Sequence, residues 1–148
     1  MMKKLKLTTT NSAGKPCYPS ISPIPGTGKM RLDHNIIYRI EYDCRKYRYL
    51  IKGGFEFDGG SIPAIARPIV TPFAPYGIRG FLLHDFLFRF NPGNIGRKIA
   101  DIWLRLILLI DKAGSVRAST VAMGLCFGSW YSWNEWRKKD KPRAIGNI

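Results

Sequence analysis

The chain has 148 residues, of which 45% are hydrophobic and 13% aromatic, and this composition excludes an intrinsically disordered protein. Lysine and arginine number 24 against ten acids, so the formal net charge is +14. A surplus of this size favours acidic partners, namely nucleic acid, an anionic lipid surface or an acidic protein. Three cysteines without a C-x-x-C spacing and only two histidines argue against a structural zinc site.

The domain plan has three parts. We predict a proline-rich N-terminal arm at residues 1–30, a single α+β domain at residues 31–136 and a basic C-terminal tail at residues 137–148. The arm contains four prolines, which indicate an irregular lead-in, although Leu5 to Thr10 alternates apolar and polar residues. No apolar run follows the first lysines, so we expect no secretion signal.

The strand-rich part of the domain begins near residue 36. Ile36 to Tyr42 places apolar side chains at every second position, which is typical of a half-buried strand. A turn at Asp43 to Lys46 and a second alternating run at Tyr47 to Lys52 complete a β-hairpin. After two glycines, Phe55 to Phe57 adds a short third strand. The prediction is a small antiparallel sheet consisting of the hairpin and this strand.

A three-helix layer is predicted to follow the sheet. Prolines forbid a long helix between residues 58 and 76. The helices are expected at Ile78 to Phe90, at Asn94 to Ala113 and at Val116 to Trp136. The second helix is expected to bury the apolar stripe formed by Ile99, Ile102, Trp103, Leu106 and Ile110.

Five polar residues form a candidate site. A glycine-rich turn after the third strand carries an acid and a hydroxyl, and the first helix carries a histidine beside an aspartate. Another aspartate joins them if the first two helices run antiparallel. The candidate catalytic residues are Asp58, Ser61, His84, Asp85 and Asp101.

Three roles are open for this cluster. In a hydrolase His84 would be the general base, with Ser61 or a water molecule as nucleophile. A hard cation such as magnesium or calcium would take Asp58, His84 and Asp85, because carboxylates suit such ions. In a structural role His84 would bond Asp58 and hold the turn in the space beside Gly80. We favour the structural role, since each unpaired buried polar group costs about 1–3 kcal/mol.

Three motifs together carry a family resemblance. Gly54 to Pro63 reads GF-x-x-D-G-x-S-I-P, His84 to Phe88 reads HD-x-L-[YF], and Arg97 to Leu104 reads R-x-x-A-D-x-x-[FL]. Over residues 35–130 the chain resembles a small uncharacterised family of phages and prophages, with Phe88 at the position of a tyrosine. The resemblance implies a phage origin and no established activity.

From the motifs and the charge we expect a phage-encoded accessory protein, associated with the virion or its assembly. It would bind other phage structural proteins, and its basic tail could bind nucleic acid or another anionic surface. Its place would be the host cytoplasm during infection, or the virion. Aromatic and basic residues alternate in Arg45 to Tyr49, which suits nucleic acid but also describes an ordinary hairpin with its arginines outward.

The third helix leaves a membrane role open. Its 17 uncharged positions, residues 118–134, reach only the lower limit of a membrane span, and several are serine or threonine. A membrane span is therefore not expected. A tryptophan-rich helix end followed by a basic tail is also typical of a peripheral membrane protein, which is the alternative beside the small hydrolase.

Overall fold

The computed structural model describes residues 3–57, 73–91 and 94–124. These residues fall into two compact units, which divide the chain after residue 58. The first unit contains the strands β1 (Leu5–Thr10), β2 (Ile21–Pro23), β3 (Met30–Leu32), β4 (Ile36–Tyr42), β5 (Arg45–Ile51) and β6 (Glu56–Phe57). The second contains the helices α1 (Ile78–Phe90) and α2 (Arg97–Ile110) and helical residues at 115–124. The predicted α+β class is confirmed.

Sheet 1 is antiparallel, with the strand order β1-β4-β5. The predicted hairpin is confirmed, but its turn has two residues, Asp43 and Cys44, instead of four. Both have a positive φ, of 53° and 61°. Two successive residues of this kind give a turn whose twist matches that of the flanking strands.

The two faces of sheet 1 differ in polarity, as the alternation predicts. Tyr38 of β4 lies opposite Tyr49 of β5, and both side chains are buried. Burial raises the pKa of the Tyr49 hydroxyl. The neighbouring positions Arg39 and Arg48 also lie opposite each other and are exposed. Sheet 1 therefore has one buried apolar face and one exposed face that is rich in charge.

Sheet 2 has the order β2-β3-β6 and contains the third predicted strand. That strand forms as β6, but it pairs with β3 and not with the hairpin. The chain reverses at Gly54, which has a φ of 95° and whose N–H donates to the carbonyl oxygen of Leu32 at 2.7 Å. The Leu32 N–H in turn donates to the carbonyl oxygen of Phe55 at 2.8 Å. These two bonds hold the chain beside β3, so that β6 pairs in sheet 2.

The prediction of an irregular arm at residues 1–30 is wrong in its local structure, because β1 and β2 lie there. The prolines do not prevent this. Pro16 and Pro19 fall between the strands, and Pro23 ends β2, an edge strand where a missing N–H is tolerated. The proposed domain boundaries themselves stay a prediction.

Helix α1 has the predicted bounds, whereas α2 is shorter than predicted and has Gly96 at its N-cap instead of Asn94. Residues 115–124 are helical, as predicted for the start of the third helix. The rest of that prediction, including the tryptophan-rich end, and the basic tail lie outside the described residues. Within the described part of the chain, no helix has the length and apolar character that a membrane crossing requires.

Helices α1 and α2 pack closely through a glycine. A Cβ atom at Gly80 would lie 2.9 Å from Cδ1 of Leu104 and 3.5 Å from Cγ2 of Ile107. Side chains of α2 therefore occupy the space beside Gly80, where we predicted that the Asp58 turn would pack. Leu104 also belongs to a hydrophobic core cluster that includes Phe81 and Leu108. The close approach makes Gly80 a determinant of helix packing.

The predicted apolar stripe of α2 is correct at Trp103, which is buried, and wrong at Ile102 and Ile110, while Ile99 and Leu106 are half-buried. Ile102 and Ile110 are 42% and 41% exposed. Because α2 is apolar on most of its circumference, the sequence pattern leaves its rotation open, and contact with Gly80 of α1 decides it. The buried residues of α2 are Ala100, Trp103, Leu104, Ile107 and Leu108.

Candidate functional site

A buried pair of His84 and Asp101 joins the two helices. The His84 side chain on α1 is completely buried, and its Nε2 lies 2.8 Å from Oδ1 of Asp101 on α2. An ionised carboxylate can only accept, so Nε2 carries the proton and donates it in this bond. The antiparallel arrangement that would bring Asp101 to the histidine is therefore present.

Two further side chains surround the pair. Arg97, one turn before Asp101 on α2, donates from Nη1 to Oδ2 of the same carboxylate at 3.3 Å. Phe88, one turn after His84 on α1, places its ring centroid 4.1 Å from that of the imidazole. Asp101 thus bridges a buried imidazole and a partly exposed guanidinium, and only 15% of its own side chain is exposed.

The pair of His84 and Asp101 has one feature of a catalytic site, a carboxylate that orients an imidazole. A carboxylate that fixes the proton on Nε2 leaves Nδ1 as the acceptor, which is the role an aspartate has beside a catalytic histidine. The imidazole, however, has no solvent-exposed surface. A histidine that is buried and hydrogen-bonded fits a structural link between helices at least as well as it fits a general base.

The other predicted site residues are placed only in part. Asp85 is buried on α1 beside His84. Asp58 and Ser61 lie outside the described residues, so their proximity to His84 stays a prediction. The predicted magnesium or calcium site of Asp58, His84 and Asp85 also stays a prediction, because Asp58 is outside the described residues. Among the residues that are described, no group of three metal-ligating side chains occurs.

A buried ion pair at the other end of the helix hairpin was not predicted. Arg79, in the first turn of α1, bonds Asp111, just after α2, through two nitrogens, with its Nε 3.0 Å from Oδ2. Both side chains are buried. The signal in the sequence is a charge of opposite sign at each distal end of two antiparallel helices, Arg79 at the start of α1 and Asp111 just after α2.

The exposed face of sheet 1 is the second candidate site. Two shallow cavities of about 310 and 380 Å³ adjoin on this face and share Lys6, Glu41 and Lys46 in their linings. Six exposed cations line them, and five of these belong to the exposed face, which we call the basic face. It consists of Lys4, Lys6, Arg39, Lys46 and Arg48. The sixth cation, Arg45, lies opposite the buried Tyr42 in the register and so belongs to the other face of the sheet.

Charge is balanced in one row of the basic face and unbalanced in the next. Glu41 lies between Lys6 and Lys46 in the register, with its Oε2 3.7 Å from the Lys6 Nζ. In the following row Arg39 lies directly opposite Arg48, and the third member, Thr8, is neutral. Like charges opposite each other destabilise a sheet, so this row favours binding an anion.

The polar neighbours of the basic face orient its central arginine. Nη1 of Arg39 donates to the hydroxyl oxygen of Thr10 at 2.8 Å. At the hairpin tip, Lys3 bonds Asp43 at 2.8 Å, and this hydrogen bond raises the pKa of the lysine. Lys3 and Asp43 therefore compensate each other, whereas the two arginines keep their charge for a partner.

Only the hairpin residues of the basic face, Arg39, Lys46 and Arg48, could be predicted from the sequence. The outward arginines of the hairpin follow from alternation, but Lys4 and Lys6 reach the face through β1, in a segment predicted to be irregular. The alternation of Leu5 to Thr10 was the signal for this strand. Its antiparallel pairing with β4 is a long-range contact that local sequence does not specify.

The fold and these sites define a class, a small α+β protein with a strongly basic sheet face and a polar link between two helices. The chain belongs to the family described as "Protein of unknown function (DUF1353)", whose model matches residues 30–124. Membership of an uncharacterised family is thereby confirmed, while the phage origin stays a prediction. Neither the curated proteins nor the solved structures contain a match.

Proposed function

We propose that this chain is a phage-encoded accessory protein that attaches to the virion or acts in its assembly by binding acidic partners. The observation that supports this most directly is the basic face, where five exposed cations flank Glu41, while the second acid of the cavity linings, Asp43, is paired with Lys3. The formal net charge of +14 extends the attraction to long range and speeds association with acidic surfaces.

The unbalanced row strengthens the proposal. A sheet selected for stability alone would place an acid opposite Arg39, as it places Glu41 opposite Lys46. Arg48 stands there instead, and the resulting repulsion lowers the stability of the free protein. An acidic partner relieves that repulsion when it binds, so the position is suited to binding and poorly suited to folding.

Particle association tests the accessory role. A tagged copy of the chain is expressed in a host that produces the encoding phage, and particles are purified on a density gradient. We expect the protein to sediment with particles or assembly intermediates. Protein absent from both, and absent from complexes with phage structural proteins, would contradict the proposal.

A polyanion tests the binding surface separately. Lys46→Glu/Arg48→Glu should elute from heparin at a clearly lower salt concentration than Lys15→Glu/Lys29→Glu. The second pair makes the same change in net charge at exposed lysines that do not line the basic face. Equal elution of both variants would show that only net charge matters, and the basic face would then have no special role.

The pair of His84 and Asp101 supports a second candidate, a small hydrolase in which His84 is the general base. Ser61 or a water molecule would supply the nucleophile, and the predicted magnesium or calcium would assist. His84→Gln and Asp101→Asn discriminate between the candidates. Folded variants that lose a biological activity of the chain would support the enzyme, whereas variants that only unfold would support a structural pair.

A further inference from the structure

The dimensions of the basic face match a polyanion with closely spaced charges. Alternate residues on a strand are about 6.7 Å apart and neighbouring strands about 4.8 Å apart, so Lys6, Lys46 and Arg48 span roughly 10 by 7 Å. Duplex DNA carries one negative charge per about 1.7 Å of its axis. Several phosphates can therefore reach these cations together.

The face lacks the features that two other acidic partners require. Protein interfaces depend on buried aromatic or aliphatic anchors, and interfacial membrane binding depends on inserted apolar side chains. In the described part of the chain, the large exposed apolar residues are Tyr18, Ile102, Ile110, Val116 and Met123, and none of them lines either cavity.

Two tyrosines contribute to the cavity linings, Tyr42 and Tyr47, but neither has a fully exposed ring. Tyr42 is buried, and Tyr47 stacks on Tyr49, with 6.4 Å between the ring centroids. Base stacking on aromatic rings is the usual means by which proteins hold unpaired bases. Without a fully exposed ring, the face offers mainly cations and hydrogen-bond donors, which are the groups that contact the phosphate backbone of a duplex.

We infer that the acidic partner of the basic face is double-stranded nucleic acid, bound through its phosphate backbone without sequence preference. The inference rests on the proposed function, because it names the partner of the same surface. Arg39, held by Thr10, and Arg48 would contact phosphates in the unbalanced row, while Lys4, Lys6 and Lys46 would extend the contact.

Fluorescence anisotropy of the whole chain with two labelled 20-base-pair duplexes of unrelated sequence tests this inference. We expect equal affinities for both duplexes and a linear fall of log affinity with log salt, with a slope of about −0.9 for each phosphate neutralised. Lys46→Glu/Arg48→Glu should weaken binding by at least about tenfold and reduce the steepness of the slope by about 2.

Three results would overturn the inference. One is an equal loss in the matched variant Lys15→Glu/Lys29→Glu, and another is a preference of more than tenfold for one duplex. The third is tighter binding to vesicles of anionic phospholipid than to either duplex. If the chain binds particles or heparin through the basic face but neither duplex, the inference fails and the proposed function stands. If it binds none of them, both fail.

Discussion

Asp33 shows how single side chains connect the strands of the first unit. Its carboxylate accepts hydrogen bonds from the hydroxyls of Ser22 at 2.6 Å and Ser20 at 2.8 Å. These two bonds stabilise the ionised form and lower the pKa of Asp33, with the Ser22 bond as the larger cause. The residue thus links β2 to the segment that follows β3.

A pH dependence follows from this pKa. Because the pKa is lower in the folded state, the stabilisation by Asp33 is present above its ordinary pKa of 3.8 and is lost as the pH falls through the lower folded value. Ser22→Ala should raise the pKa of Asp33, as measured by NMR titration of its carboxyl carbon. Ser12→Ala, a change at an exposed serine, is the control and should leave it unchanged. An unaltered pKa in Ser22→Ala would contradict the account.

His84 should be important for stability in either of its possible roles. His84→Ala removes a buried ring and its bond to Asp101, so we expect the free energy of unfolding to fall by about 2–4 kcal/mol. Asp101→Asn retains an acceptor and should cost about 1 kcal/mol. Urea unfolding measures both, and a wild-type midpoint for His84→Ala would exclude a structural link.

The candidate site could be predicted from the sequence to a limited extent. His84 and Asp101 were grouped because a breaker between two apolar helices predicts an antiparallel pair, and the pair is present. The orientation of α2 could not be predicted exactly, since its apolar residues cover more than half of its circumference and only part of that arc is buried. A small difference in packing around Gly80 selects the buried side.

At the scale of elements, the ion pair of Arg79 and Asp111 fixes one end of the α1–α2 hairpin. Removing one partner leaves a buried charge without compensation, which typically costs 3–5 kcal/mol. Arg79→Met should therefore destabilise the protein by about that amount, whereas the double variant Arg79→Met/Asp111→Leu should recover much of the loss. Thermal unfolding of the two single variants and the double variant measures the coupling. Additive losses would show that the pair is not a unit.

Sheet 1 allows stability and binding to be separated. Arg48→Glu places an acid opposite Arg39, so repulsion becomes attraction and the free energy of unfolding should rise by about 0.2–1 kcal/mol. The same change removes a cation from the basic face and should weaken heparin binding. Stability from urea unfolding and affinity from titration calorimetry should change in opposite directions. A variant that loses both would indicate a structural role for Arg48.

Strand existence was easier to predict than strand pairing. Alternation gave the buried side of β4 and β5, and a two-residue turn fixed their register. No comparable local signal assigns β6 to β3 or β1 to β4, because these pairings close long loops. The prolines of the first 30 residues also led to the wrong prediction of an irregular segment, although β1 ends before the first of them and Pro23 is the last residue of β2.

At the scale of the whole molecule, the described acids of the first unit are bonded within it, whereas its cations are in excess. Residues 3–57 contain eleven lysines and arginines against four acids. Three of those acids make ion pairs in this unit, namely Glu41, Asp43 and Glu56, and the fourth, Asp33, is bonded by two serines. The excess positive charge is therefore left at the surface, where the basic face concentrates it.

The most direct test of the central claim is an NMR titration of the ¹⁵N-labelled chain with a heparin tetrasaccharide as a short polyanion. We predict that the largest amide shift changes fall on β1, β4 and β5, at Lys6, Arg39, Lys46 and Arg48, and disappear above about 0.5 M salt. Changes concentrated in α1, α2 or residues 137–148, with the amides of sheet 1 unmoved, would contradict the account.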